Sequence, residues 1–80
     1  MDYTVEVRVE YKRGVLDAEG ETVQKSLRLL GFEVDQVETI KTYRIKLTSE
    51  NEETAVATVK GACEKLLANP VIQDYQVQVV

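Results

Sequence analysis

Glu33-Val34-Asp35-Gln36-Val37-Glu38-Thr39-Ile40-Lys41 is the stretch on which the strand count depends. Behind it, Tyr43, Ile45 and Leu47 alternate with Arg44 and Lys46, the period of two that marks a half-buried strand. Within it, Val34 and Val37 lie out of phase, so a strand here carries a bulge or an irregularity. Counted as a strand, it pairs with its successor and gives the chain two strand–helix–strand halves of similar length.

The flanking segments fit that plan. Tyr3, Val5, Val7, Val9 and Tyr11 alternate with Thr4, Glu6, Arg8, Glu10 and Lys12, a first strand broken at Lys12-Arg13-Gly14. Asp17 stands where it would cap a helix by accepting the free N–H groups of the first turn. Glu19 and Glu21 follow, where the helix dipole favours negative charge. Val23, Leu27 and Leu30 form one apolar stripe. Gly31 suits the left-handed residue that ends a helix, with Phe32 packing back onto Leu27. After the turn at Thr48 to Asn51, Ser49 with Glu52 matches a capping box, and Asn51 is an equal candidate for the cap. The second helix carries Val56, Val59, Cys63 and Leu66, widened by Ala55, Ala62 and Leu67. Pro70 ends it, because the residue before a proline avoids the helical region. Tyr75, Val77 and Val79 alternating with Gln76 and Gln78 close the chain as a strand. The order is strand, helix, strand, strand, helix, strand, and it predicts an α+β fold: a ferredoxin-like βαββαβ plait with a four-stranded antiparallel sheet and two helices on one face. The other face would carry Glu6, Arg8, Glu10, Arg44, Lys46, Gln76 and Gln78, either solvated or a polar interface.

Eighty residues make one domain, 1–80, with a modest core. A chain of this length hides only about 60% of the surface that its unfolded form exposes, so small domains lean on disulfides, metals or association. One cysteine and no histidine exclude an intrachain disulfide and the common zinc spacings. Cys63, among apolar residues, reads as a buried thiol. The net charge of −4 and pI near 4.8 lack the positive field that nucleic-acid binding requires. No apolar run approaches the ~20 residues of a membrane span, and Asp2 and Glu6 interrupt any signal-peptide pattern. These features predict a soluble, cytoplasmic module.

The chemistry-bearing candidates are few. Lys12-Arg13-Gly14-Val15 before the first helix offers cations, a glycine and helical N–H groups to an anion. Acylphosphatase chemistry on such a plait needs an amide to hold the attacking water, and Asn51 and Asn69 both fall at helix ends. Tyr3, Tyr11 and Tyr43 share the phase of the core valines rather than forming a base-stacking platform. A ligand-sensing regulatory plait, binding a small molecule at a dimer interface near Gly14, stands as the alternative function.

Val15-Leu16-Asp17-x-x-Gly20, together with Cys63-Glu64-Lys65-Leu66-Leu67-Ala68-Asn69-Pro70-Val71-Ile72-Gln73-Asp74-Tyr75, resembles the PurS family, the small subunits of phosphoribosylformylglycinamidine synthase (formylglycinamide ribonucleotide amidotransferase). The resemblance covers essentially the whole chain. It departs at Glu38-Thr39-Ile40-Lys41, where many members carry an Arg-x-Gly-Lys-like element and only Lys41 corresponds. It implies a non-catalytic assembly subunit in purine biosynthesis, with no catalytic, metal or cofactor residues of its own. Such a subunit would form dimers or higher oligomers. It would bridge a glutaminase subunit and a synthetase subunit, the latter using ATP and magnesium, and support ammonia transfer from glutamine to formylglycinamide ribonucleotide. The candidate partner-facing surface is Asn69, Pro70, Asp74 and Tyr75, joined by Leu16 and Asp17. The structural alternative is that Asn69-Pro70 merely ends a helix and Asp17 merely caps one.

Overall fold

The computed structural model describes residues Met1–Val80. Strand β1 spans Asp2–Tyr11, helix α1 Ala18–Leu29, strand β2 Ile40–Thr48, helix α2 Glu52–Ala62 and strand β3 Gln73–Val79; between α2 and β3 lies a π-helical turn, Cys63–Leu67. The sheet has three strands in the order β2-β1-β3, each pair antiparallel. The alternation in the sequence sets the register. Val5 faces Ile45 and Val79, and Val7 faces Tyr43 and Val77. Directly paired residues of an antiparallel sheet share a face, so the apolar sets of all three strands line one side, over which α2 lies. On the other side Glu6 accepts from Arg44 Nε at 2.8 Å.

The predicted four-stranded sheet is therefore corrected to three strands. Residues 33–39 do not pair with β2; they run back along α1 and are held there by its side chains. Arg28 donates from Nε to the Val34 carbonyl at 3.1 Å and from its terminal nitrogen to the Asp35 carbonyl at 3.3 Å. Gln24 Oε1 accepts from the Val37 N–H at 3.3 Å, and Asp17 Oδ2 accepts from the Thr39 N–H at 2.6 Å. With Val34 and Val37 out of phase, the segment has no apolar face to lay on the sheet, and hydrogen bonds to α1 satisfy its backbone instead. Helix α1 and this return segment together form an arm.

The arm leaves the sheet half covered. The radius of gyration is 16.0 Å, against about 12 Å for a compact chain of this length. The predicted stripe on α1 consequently meets little of its own chain. Val23 is 42% exposed and Leu30 73%. The core is formed by Val5, Val7 and Val9 of β1 with Val59, Cys63 and Ala68, and Ala55 is buried beside them.

Local signals are obeyed even where the global plan is not. Asp17 caps α1, accepting from Gly20 N at 2.9 Å. Gly31, with φ +95°, ends it: its N–H donates to the Arg28 carbonyl and that of Phe32 to the Leu27 carbonyl, the paired bonds of a Schellman cap. For α2 the cap is Asn51, accepting from Thr54 N at 2.8 Å. Ser49 instead donates its backbone N–H to the Met1 carbonyl. No helix is long and apolar enough to cross a membrane.

Candidate partner-facing surface

The turn that leads into β3 is anchored to the end of β1. The Lys12 N–H donates to the Ile72 carbonyl at 2.9 Å, and Lys12 Nζ lies 3.6 Å from Asp74 Oδ1. Lys12 is thereby tied to Ile72 and Asp74, whereas Asp17 bonds to Gly20 and Thr39.

Their roles differ. The Asn69 side chain accepts from Val71 N at 3.0 Å, and its carbonyl accepts from the N–H groups of Ile72 and Gln73. Asn69 thus builds the turn and Pro70 tops it, exposed. Asp74 is exposed and Tyr75 half-buried, its hydroxyl donating to Glu64 Oε1 at 2.5 Å. That bond to a carboxylate, which a phenolate could not make, raises the Tyr75 pKa above the ordinary tyrosine value. Leu16 is 67% exposed. Asp17 is committed to structure: one oxygen holds the start of α1 and the other holds the return segment at Thr39. Of the six residues, Leu16, Asn69, Pro70 and Asp74 offer exposed surface, whereas Asp17 and Tyr75 act chiefly by fixing their neighbours.

The amide donors from Gly20 and then Thr39 lower the Asp17 pKa below its ordinary value of 3.8. A carboxyl whose pKa is depressed on folding contributes stability above its unfolded pKa and loses it as pH falls through the folded one. The arm is therefore expected to stay clasped throughout the neutral range and to loosen only below about pH 4. Amide exchange at Gly20 and Thr39 followed down an acid series checks this, and loosening near pH 6 would contradict it.

One surface was missed in the sequence. The helical stripe placed Leu66 in the core, yet it is 83% exposed, while Ala68 is 7% exposed and packs inside. The cause is the π-helical turn: Ala68 N donates to the Cys63 carbonyl, five residues back, so these two residues face the same way and Leu66 swings out. Val71, 79% exposed on the following turn, is the other large apolar side chain standing out of this connection. The only signal available was the spacing of Cys63 and Ala68. In a run reading Leu66-Leu67-Ala68, either helical phase offers an apolar residue. No group of three or more His, Cys, Asp or Glu side chains is arranged to hold a metal ion.

With this geometry in place, the comparison with known proteins decides the family. Residues 4–80 match the family described as PurS, phosphoribosylformylglycinamidine (FGAM) synthase. The chain belongs to the PurS family. The phosphoribosylformylglycinamidine synthase subunit PurS of Archaeoglobus fulgidus is 49% identical over 73 residues, covering 90% of this chain and 91% of that protein. The crystal structure of Methanocaldococcus jannaschii PurS, one of the subunits of formylglycinamide ribonucleotide amidotransferase, superposes with a TM-score of 0.86 at 46% identity, covering 98% of this chain and 95% of that one. A chain in the PurLQS structure from Thermotoga maritima superposes with a TM-score of 0.90 at 34% identity, covering 100% of this chain and 99% of that one.

Proposed function

We propose that the chain is the non-catalytic assembly subunit of a cytoplasmic, ATP- and glutamine-dependent phosphoribosylformylglycinamidine synthase in purine biosynthesis. It joins copies of itself and bridges a glutaminase subunit and a synthetase subunit, so that ammonia released from glutamine reaches formylglycinamide ribonucleotide. ATP and magnesium belong to the synthetase partner. Ammonia that escapes is protonated and diluted, so a rigid adaptor that seals the two partners together serves this chemistry.

The observation that carries the proposal is the surface left unburied. The chain exposes 6167 Å², whereas a compact monomer of its 9.0 kDa mass exposes about 4,900 Å². The difference exceeds the roughly 800 Å² that one partner contributes to a standard interface. It includes large apolar side chains: Leu29 is 88% exposed and Phe32 58%, beside Leu30 on the arm. The match to a chain of the PurLQS structure supports the same reading. Leu16, Asp17, Asn69, Pro70, Asp74 and Tyr75 are assigned to the surface that meets the other subunits, with Asp17 and Tyr75 holding its shape.

The test is amidation of formylglycinamide ribonucleotide by the glutaminase and synthetase of the same organism, with and without this chain. Glutamine-driven activity is expected to require the chain, and ammonia-driven activity to persist without it. Equal glutamine-driven rates in both mixtures would refute the proposal.

A further inference from the structure

We infer that the arm is a rigid lever, hinged on the sheet at Gly14–Leu16 and at Thr39–Ile40, whose angle is set by the proteins that bind the chain. The setting of the angle rests on the assembly role proposed above; the hinge itself does not.

The arm is stiff along its length. Asp17 joins the start of α1 to Thr39, Gln24 holds Val37 midway, and Arg28 holds Val34 and Asp35 toward the far end. At Gly20 the two pieces approach so closely that an added Cβ would lie 2.6 Å from the Val37 carbonyl oxygen. Helix and return segment are bonded from base to tip and move together.

The arm is held to the sheet much less firmly. Helix α2 packs on all three strands, whereas α1 packs closely on none. The one buried residue of α1, Gly20, meets the return segment and not the sheet. Two tethers make the connection. In the first, the sheet ends at Lys12, bonded to Ile72, and the arm begins at Asp17. Between them Arg13, Gly14 and Leu16 make no backbone hydrogen bond, and Val15 only turns back onto Lys12. Gly14 has a φ of +86°, a Cβ there would meet nothing within 4 Å, and Leu16 is 67% exposed. In the second, Thr39 belongs to the arm through Asp17, and Ile40 belongs to the sheet opposite Glu10. Two tethers define an axis and leave rotation about it free. A few such residues at element ends are what absorb rigid-body closure elsewhere. Beside the axis lies a cleft of about 530 Å³, with Glu10 and Tyr11 on the sheet side and Glu21, Gln24 and Glu38 on the arm side. The arm can swing there without displacing packed side chains. A rotation of about 15° carries the far end of the 12-residue helix, ~18 Å away, by about 5 Å.

The test is energy transfer read from donor lifetimes, between dyes on exposed residues of the full-length chain at nanomolar concentration. The native Cys63 is buried and stays unlabelled. Nanosecond lifetimes take snapshots of a hinge that moves over microseconds to milliseconds. Glu33→Cys with Gln78→Cys spans the hinge, Glu33→Cys with Glu19→Cys lies within the arm, and Thr42→Cys with Gln78→Cys lies within the sheet; all four positions are exposed. The hinge pair is expected to give a distance distribution about twice as wide as either other pair, and to narrow when the glutaminase and synthetase bind. Arg28→Ala should broaden the arm pair and leave the sheet pair unchanged. A hinge pair as narrow as the sheet pair overturns the lever, whatever the chain assembles with. A hinge pair that stays wide in the bound state overturns the setting of the angle. If the pair is wide and neither protein binds, the hinge stands and the assembly role fails.

Discussion

Gly20→Ala is expected to loosen the arm and destabilise the chain, although helix propensity alone predicts the reverse. Gly20 lies in the first turn of α1 and is buried. An exposed glycine-to-alanine change inside a helix gains about 1 kcal/mol, because alanine loses less backbone freedom on folding. Here the added Cβ would sit 2.6 Å from Asp17 Oδ2 and 2.6 Å from the Val37 carbonyl oxygen. The second of these atoms is backbone, so no side-chain rotation relieves the overlap; the return segment must move. Overpacking a tight site costs about 1–3 kcal/mol, and the displacement also parts Thr39 from Asp17. The steric term wins, with the loss concentrated in the arm. If the arm opens 2 kcal/mol more easily, its amides exchange about 30-fold faster. Hydrogen exchange at Val37 and Thr39, together with urea unfolding, reads the effect. A neutral or stabilised variant would show that this close approach is absent in solution.

Val7→Ala is expected to cost about 2–3 kcal/mol, read as a lower urea midpoint at an unchanged m-value. Val7 is 0% exposed at the middle of the central strand, flanked by Tyr43 and Val77 on its neighbours. A small domain holds only roughly 0.05–0.15 kcal/mol of stability per residue, or about 4–12 kcal/mol in total, so this single truncation consumes a large share. The loss falls heavily because only α2 covers the sheet, and no second helix shares the core. The comparison is Leu30→Ala on the arm. At 73% exposure it should change the stability of the single chain by less than about 0.5 kcal/mol, and should tell instead on association. A Val7→Ala variant as stable as the parent would contradict the core described here.

Both expectations rest on features that the sequence displayed unequally. Val7 was legible outright, because a strict alternation from Tyr3 to Tyr11 leaves one face for burial. Gly20 was quoted within a family motif, but nothing local showed why glycine was needed there. The reason is the carbonyl of Val37, seventeen residues away in sequence. The surface at the end of the sheet was legible as two separate clusters. The antiparallel pairing of β1 with β3 brings Lys12, just ahead of the first cluster, against Ile72 and Asp74 beside the second. Leu66 was placed wrongly because helical phase was carried through Cys63–Leu67, where the backbone inserts one extra residue per turn.

The sequence by itself determined β1, β2 and β3 as strands, the Asp17 cap, the Gly31 helix end and Asn51 as one of two candidate caps. A period of two, an Asp or Asn that accepts from the first-turn amides, and a Gly that adopts positive φ each act within a few residues of chain. Tertiary structure alone decided the number of strands. Residues 33–39 could find backbone partners along β2 or along α1, and both choices satisfy local propensity. Asp17, Gln24 and Arg28 supply the acceptors and donors that hold the segment on α1. With no apolar face to reward pairing on the sheet, the segment stays with the arm. The apolar stripe of that arm consequently remains largely exposed in the single chain.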